Sequence, residues 1–210
     1  MGKNTLEKIA ALYTSNVRVS GLNPKSVGWN TPESQQLRFE KLTSVIIDRS
    51  KPVSINDFGC GYGAHLQYLV DICSIEVEEY NGYDLSSEML SIAHSNLSEY
   101  STTVNLFEVS RLSTVADYSF VSGTFNVRFK ESDEVWKSYI HECLDNINQH
   151  SQKGFSFNLL STYVDWKKPD LFYGDPMYWF DHCKQRYSSS ISLLHDYPLY
   201  EWTIIVKKVD

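Results

Sequence analysis

Long apolar runs are missing from this 210-residue chain. No stretch approaches the roughly 18 apolar residues of a membrane-spanning helix, and the N-terminus has no apolar segment of signal-peptide type. A cytoplasmic protein without a membrane partner is expected. Basic clusters are missing too. The longest are the pairs Lys167-Lys168 and Lys207-Lys208, set against a formal net charge of −7. Proteins that grip nucleic acid neutralise phosphates with clustered Lys and Arg, so no nucleic-acid partner is expected. Cysteines are few and far apart. Cys60, Cys73, Cys143 and Cys183 contain no C-x-x-C pair, so they read as reduced thiols, neither a disulfide framework nor a zinc site. Internal repeats and low-complexity linkers are absent, and nothing in the sequence sets an oligomeric state.

What is present is ordinary globular material, 42% hydrophobic and 21% charged, enough for one domain over residues 1–210 with a full core. Thr5 to Tyr13 reads as a short helix and Ser15 to Asn30 as loop, together an N-terminal cap. Thr31-Pro32-Glu33-Ser34 reads as the start of a helix running to about Asp48, with Leu37, Leu42, Val45 and Ile46 on its buried side. From Val53 onward, strands and helices alternate. Strands are expected at Val53–Phe58, Glu79–Tyr83, Val104–Glu108, Tyr118–Ser122 and Gly154–Leu160. Helices follow the glycine-rich turn, Ser86 and Ser132, the two serines acting as N-caps. Two late strands, Ile191–Leu194 and Tyr200–Lys207, are joined at His195-Asp196-Tyr197-Pro198. This order predicts an α/β fold: a doubly wound, mostly parallel sheet with helices on both faces and an antiparallel last strand.

The informative stretch is "VSINDFGCGYGAHLQYL". A strand, a glycine turn and a helix start make a site for an adenosine or phosphate cofactor, because bare backbone and free N–H groups face the ligand. Gly59, Gly61 and Gly63 alone do not separate a dinucleotide from other adenosine cofactors. Asp57, at the strand end, suits a ligand with a cationic amino group better than a pyrophosphate. Asp84 ends the second strand, where a carboxylate can accept both ribose hydroxyls of either cofactor.

Together, "DFGCGYG", "GYDLSSEML", "DYSFVSGTFNV" and "LYEWTIIVKK" resemble the motifs of the seven-stranded class I S-adenosylmethionine-dependent methyltransferases, over roughly residues 28 to 208. The resemblance implies a methyl-transfer enzyme that uses S-adenosylmethionine and releases S-adenosylhomocysteine. It implies that the glycines admit the homocysteine part, with Asp57 near its ammonium. Asp84 would take the ribose, Leu85 and Met89 the adenine, and Glu108, Ser110 or a backbone group the adenine amino group. Ser122 and Thr124, after the fourth strand, would complete the cofactor wall. "VGWNTPESQQLRF" resembles a subgroup segment in which Trp29 covers the site and Gln35 and Arg38 face the cofactor, Arg38 holding its carboxylate. The alternatives are a SAM-binding protein without catalysis and a nicotinamide enzyme.

The Asn/Asp-Pro-Pro-Tyr box of base and glutamine methylation does not follow the fourth strand, and no metal-binding carboxylate set is evident. A small-molecule acceptor without metal is therefore expected, oxygen favoured over nitrogen; the subgroup resemblance points to a sugar, glycan precursor or secondary metabolite. Residues 161–190, dense in aromatics from Tyr163 to Phe180, read as a substrate lid. A hydroxyl acceptor calls for a base, and His195 and His182 are the candidates.

Overall fold

The computed structural model describes residues 3–20 and 31–208. Its central strands, β1 (Val53–Phe58) and β4 (Ala116–Val121), are buried almost end to end. This is the signature of strands covered by helices on both faces. The other strands are β2 (Val77–Asp84), β3 (Thr103–Glu108), β5 (Ser151–Ser161), the two-residue β6 (Tyr173–Gly174), β7 (Ser190–Leu194) and β8 (Glu201–Lys207). The sheet order is β3-β2-β1-β4-β5-β8-β7, with β6 beside β5. Every pairing is parallel except those of β8, which runs antiparallel to β5 and β7. The doubly wound sheet with an antiparallel last strand is thus as expected, and β6 is an addition.

Helix α2 (Pro32–Thr43) starts as its sequence demands: Thr31 and Ser34 form a reciprocal capping box ahead of Pro32. It ends at Thr43 rather than near Asp48, although Val45 and Ile46 still bury after the turn. Its inward stripe is Gln35, Arg38, Phe39 and Leu42, so two polar side chains are carried inside by helical spacing. Helix α3 (Ala64–Gln67) continues as a π-helical turn to Ile72. Helices α4 (Ser87–Leu97) and α5 (Asp133–Gln149) are capped by Ser86 and Ser132, and α6 (Pro176–Arg186) by Asp175.

Helix α1 (Lys3–Ser20) is longer than expected, extending through residues read as loop. Thr5, Ile9 and Val17 are buried and Tyr13 half-buried, a stripe at i, i+4, i+8 and i+12 that the polar residues after Tyr13 obscure. On one face of the sheet, Trp136, Trp179 and Trp202 are fully buried with Phe155 and Phe157. Burial of side chains this large contributes on the order of 2–3 kcal/mol each. Two of the indoles also fix loops: Trp136 donates to Phe125 O (2.8 Å) and Trp202 to Gly174 O (2.9 Å).

Strand order reverses between β1 and β4. In open α/β sheets the crevice outside the carboxyl ends at that point is where ligands bind.

Candidate active site

At the end of β1 the chain turns through Gly59 and Gly63, both in the left-handed region at φ 81° and 83°. A Cβ at Gly59 would also lie 2.2 Å from Thr124 Oγ1, and one at Gly63 2.7 Å from Leu97 Cδ1. Only glycine meets both demands. The loop is tied to the end of β2. Gly59 and Cys60 N–H both donate to Tyr83 O, at 2.7 and 3.0 Å, and Gly61 N–H donates to Asp84 Oδ2 at 2.9 Å.

The loop floors a cleft along the carboxyl ends of β1 to β4. Asp57, Gly59 and Gly61 line it from β1 and its turn, and Asp84, Leu85 and Met89 from β2 and α4. Ser122 and Thr124 line it after β4, and Gln35 from α2. Gly63 caps α3 behind the wall. Of the two side chains considered for the adenine amino group, Ser110 lines the cleft and Glu108 does not. Trp29 lies outside the described residues.

The cleft's electrostatics follow from burial. Asp57 is fully buried, and desolvation pushes its pKa up to about 7 even though Tyr80 donates to Oδ2 at 2.7 Å. Asp84 is also raised by burial, against the N–H groups of Ser86 and Gly61 that hold it down. Those bonds use one acceptor position on each oxygen (Ser86 N–H to Oδ1, 2.9 Å) and leave others for a ligand. His65 stacks on Phe39 at 4.5 Å, and burial pushes it down to about 3, so it is neutral. Its Nδ1 and the Ser122 hydroxyl are buried without a hydrogen-bond partner among the described residues.

A second cavity of about 550 Å³ adjoins the first, and Tyr13 and Gly123 line both. Its walls come from the 161–190 insert (Val164, Trp166, Leu171, Tyr173) and from the β7–β8 connection (Pro198 to Tyr200). Arg38 and Glu201 line it too, paired Nε to Oε1 at 2.7 Å.

No protein-family model matches the sequence. A curated relative does: the Mycobacterium tuberculosis (strain ATCC 25618 / H37Rv) protein named "Putative methyltransferase Rv1506c" is 47% identical over 165 residues, 78% of this chain and 98% of that one. The chain belongs to the class I S-adenosylmethionine-dependent methyltransferases. The same fold is seen in a DhpI–SAM–HEP complex, 10% identical, with a TM-score of 0.67 over 99% of this chain and all of that one. Magnesium protoporphyrin IX methyltransferase from Synechocystis PCC 6803, with S-adenosylhomocysteine bound, is 11% identical. Its TM-score is 0.66, over 97% of this chain and 98% of that one.

For a methyltransferase the cleft is chemically apt. The cofactor's sulfonium supplies an activated methyl group, and the lining carries two carboxylates, the buried Asp57 and the part-buried Asp84. The orphan polar atoms of Ser122 and His65 lie in the same walls.

The residues picked out as bases lie elsewhere. His195 is exposed beside the Tyr163 ring, 5.8 Å away, and lines neither cavity. His182 is packed between α5 and α6. Its Nε2 is 3.1 Å from His141 Nδ1 and 3.2 Å from the Tyr187 hydroxyl, and burial pushes its pKa down to about 4. Arg38 faces the second cavity and Glu201 rather than the cofactor cleft, while Gln35 does line the cleft and donates to Tyr62 Oη at 3.1 Å.

The aromatic insert divides. Phe172 and Trp179 are core, whereas Trp166 and Tyr173 face the cavity. Sequence reasoning missed Ile9, Ala10 and Tyr13 as site residues; they line the cleft from the stretch of α1 that was expected to be helical. It also did not single out Glu201, which lines the second cavity and is the one charged residue in the buried run "EWTIIV".

Proposed function

We propose that this methyltransferase moves the methyl group of S-adenosylmethionine to a hydroxyl of a small-molecule acceptor seated in the second cavity. The observation that carries the reading is the junction of the two cavities at Tyr13 and Gly123, which lets a donor and an acceptor meet without leaving the protein. Asp57 would face the cofactor's ammonium, Asp84 its ribose hydroxyls, Leu85 and Met89 its adenine, and Ser110 the adenine amino group. Gln35, Ser122 and Thr124 complete the wall. Residues 161–190 serve as the acceptor lid. Holding both partners in line supplies much of the acceleration, because the sulfonium is already activated. Neither His182 nor His195 enters this reading as base, since neither lines either of these two cavities.

The test has two stages. Calorimetry with S-adenosylmethionine establishes the cofactor, with Asp84→Ala as control. Release of S-adenosylhomocysteine is then followed across a library of hydroxylated small molecules. Failure to bind S-adenosylmethionine would overturn the reading, and turnover of amines alone would move the acceptor from oxygen to nitrogen.

A further inference from the structure

Two polar groups on the wall of the second cavity have no work to do inside the protein. Asn126, in the loop after β4, is 6% exposed and tied down by its backbone and its amide oxygen. Its N–H donates to Gly123 O (3.2 Å), its carbonyl accepts from Phe172 N–H (2.8 Å), and Oδ1 accepts from Leu160 N–H (3.2 Å). The last bond fixes the orientation of the amide and leaves Nδ2 as a donor with no partner among the described residues. Tyr13 of α1 lines both cavities, and its hydroxyl has no partner among the described residues either. Neither atom is sealed from solvent, which sets both apart from the enclosed oxygens of Glu201. Since Asn126 is bonded to Gly123, and Gly123 like Tyr13 lines both cavities, the two groups flank the place where donor and acceptor meet.

This junction offers donors and withholds a base. Burial, with the Asp84 carboxylate nearby, pushes the Tyr13 phenol up to about 12, so it keeps its proton at neutral pH. An amide N–H2 can only donate. His182 and His195 line neither cavity. Of the carboxylates on the second cavity, Glu201 is enclosed and paired with Arg38, while Asp165 is exposed on the insert and does not line the cofactor cleft. Residues 21–30, outside the described residues, contain no histidine, aspartate or glutamate. An aliphatic hydroxyl would find nothing at the junction to take its proton. A hydroxyl that has already ionised needs no base, and it finds two donors whose bonds to a charged oxygen are of the stronger kind.

The rest of the lining describes the body that carries this oxygen. Trp166 and Tyr200, 67% and 69% exposed, stand with Tyr173 among the apolar Leu160, Val164 and Leu171. Aromatic faces of this kind suit a flat ring. The hydroxyl carried by a flat ring is also the acidic one. A phenol has an unperturbed pKa of about 10. Two donors and the positive sulfonium all favour its phenolate.

We propose that the acceptor is a phenol that reacts as its phenolate, and that Tyr13 and Asn126 bind the phenolate oxygen beside the cofactor's methyl group. This rests on the second cavity being the acceptor site. The phenol proton is lost to solvent before transfer. The oxygen then forms its bond to the methyl carbon as the carbon–sulfur bond breaks, and that electron pair stays on sulfur. A negative oxygen and a positive sulfonium become a neutral aryl methyl ether and the neutral thioether of S-adenosylhomocysteine. Charge is lost along this path, so the two donors act by lowering the acceptor's pKa and by aiming the anion.

The experiment uses the full chain. S-adenosylmethionine affinity is measured by calorimetry, and S-adenosylhomocysteine release is followed over pH with substituted phenols and with aliphatic alcohols. At least one phenol should turn over. Across phenols of different acidity, the pH midpoint of kcat/KM should move with the ionisation of the phenol. Asn126→Asp keeps the oxygen used by Leu160 N–H and replaces only the donor, and Tyr13→Phe keeps the ring and removes only the hydroxyl. Each should lower kcat/KM at least about tenfold, with S-adenosylmethionine affinity within about threefold of wild type. Para-nitrophenol, whose phenolate is coloured, gives a reading that a structural role would not move. On the S-adenosylhomocysteine-saturated wild type its phenolate-to-phenol ratio should rise at least about threefold, and in Asn126→Asp that rise should vanish. Cofactor binding without turnover of any phenol overturns the inference alone, as does faster turnover of aliphatic alcohols. So does a pH midpoint that stays fixed across the phenols, activity of both variants within about threefold of wild type, or an unchanged nitrophenolate ratio. Absence of cofactor binding in the wild type overturns the underlying reading and the inference with it.

Discussion

Asp57→Asn tests the electrostatics of the cofactor cleft. In the ligand-free protein the carboxyl sits at about pKa 7, raised by burial, so it is about half protonated at neutral pH. A bound ammonium favours the carboxylate, so cofactor binding must expel the proton wherever it is present. Each pH unit below about 7 then costs up to tenfold in affinity, about 1.4 kcal/mol. Between pH 7.5 and 5.5 the wild-type affinity for S-adenosylmethionine should fall roughly 25-fold, from the same linkage. Above about pH 8 the ligand's own amine loses its proton, which bounds the gain. Calorimetry near pH 6, in two buffers of different ionisation enthalpy, should count up to about one proton released per cofactor bound. Asp57→Asn should bind more weakly at pH 7.5 and show neither the slope nor the proton. An affinity that changes less than about threefold over this range, without proton release, would refute the placement of Asp57 beside the ammonium. The same shift has a stability consequence of determined sign. The native state keeps a proton that the unfolded chain gives up near pH 4. The ligand-free protein should therefore lose stability as pH rises from about 4 to 7, and Asp57→Asn should flatten that decline.

Three further outcomes follow from the geometry. Asp84→Ala removes the acceptor for the Gly61 and Ser86 N–H groups as well as the ribose partner. Bonds to a charged acceptor are worth about 1.5–3 kcal/mol, so cofactor affinity should drop at least tenfold; unchanged calorimetry in a folded variant would remove Asp84 from the site. Gly59→Ala combines a positive φ with a collision at Thr124. A cost of about 1–3 kcal/mol should appear as a lower thermal midpoint together with lost cofactor binding, and a neutral substitution would mean that the turn relaxes freely. His195→Ala and His182→Ala should each leave turnover within about threefold, measured by S-adenosylhomocysteine release once an acceptor is in hand. A loss of 100-fold in either would restore a histidine as base.

What was legible in the sequence was local. Thr31, Ser86 and Ser132 cap helices because a short polar side chain before an apolar periodic run has little else to do, and all three accept the expected N–H. The glycine loop was legible because Gly59 and Gly63 sit where no side chain fits. Helix α1 was misjudged in length because its stripe continues to Val17 through Thr14, Ser15 and Asn16, residues that resemble loop by composition. Two of its contacts are tertiary: Thr14 Oγ1 lies 2.7 Å from Ser86 Oγ, and Arg18 Nε lies 2.8 Å from Glu88 Oε2. No pattern within α1 announces them.

The base assignment shows where local reading stops. The direction of β7 is legible: it runs parallel to β5, so His195 does leave the sheet at the carboxyl edge. Its lateral position is not, because that depends on which strand lies next to β5. The chain passes β5, forms β7 at the sheet's far edge, then returns as β8 into the gap between them. That insertion sets His195 one strand farther from the cofactor cleft. Since β8 runs the opposite way, its first residue is delivered to the same carboxyl edge, directly beside β5 at Leu160. The topological step that carries the histidine away is therefore the one that brings Glu201 to the wall of the second cavity.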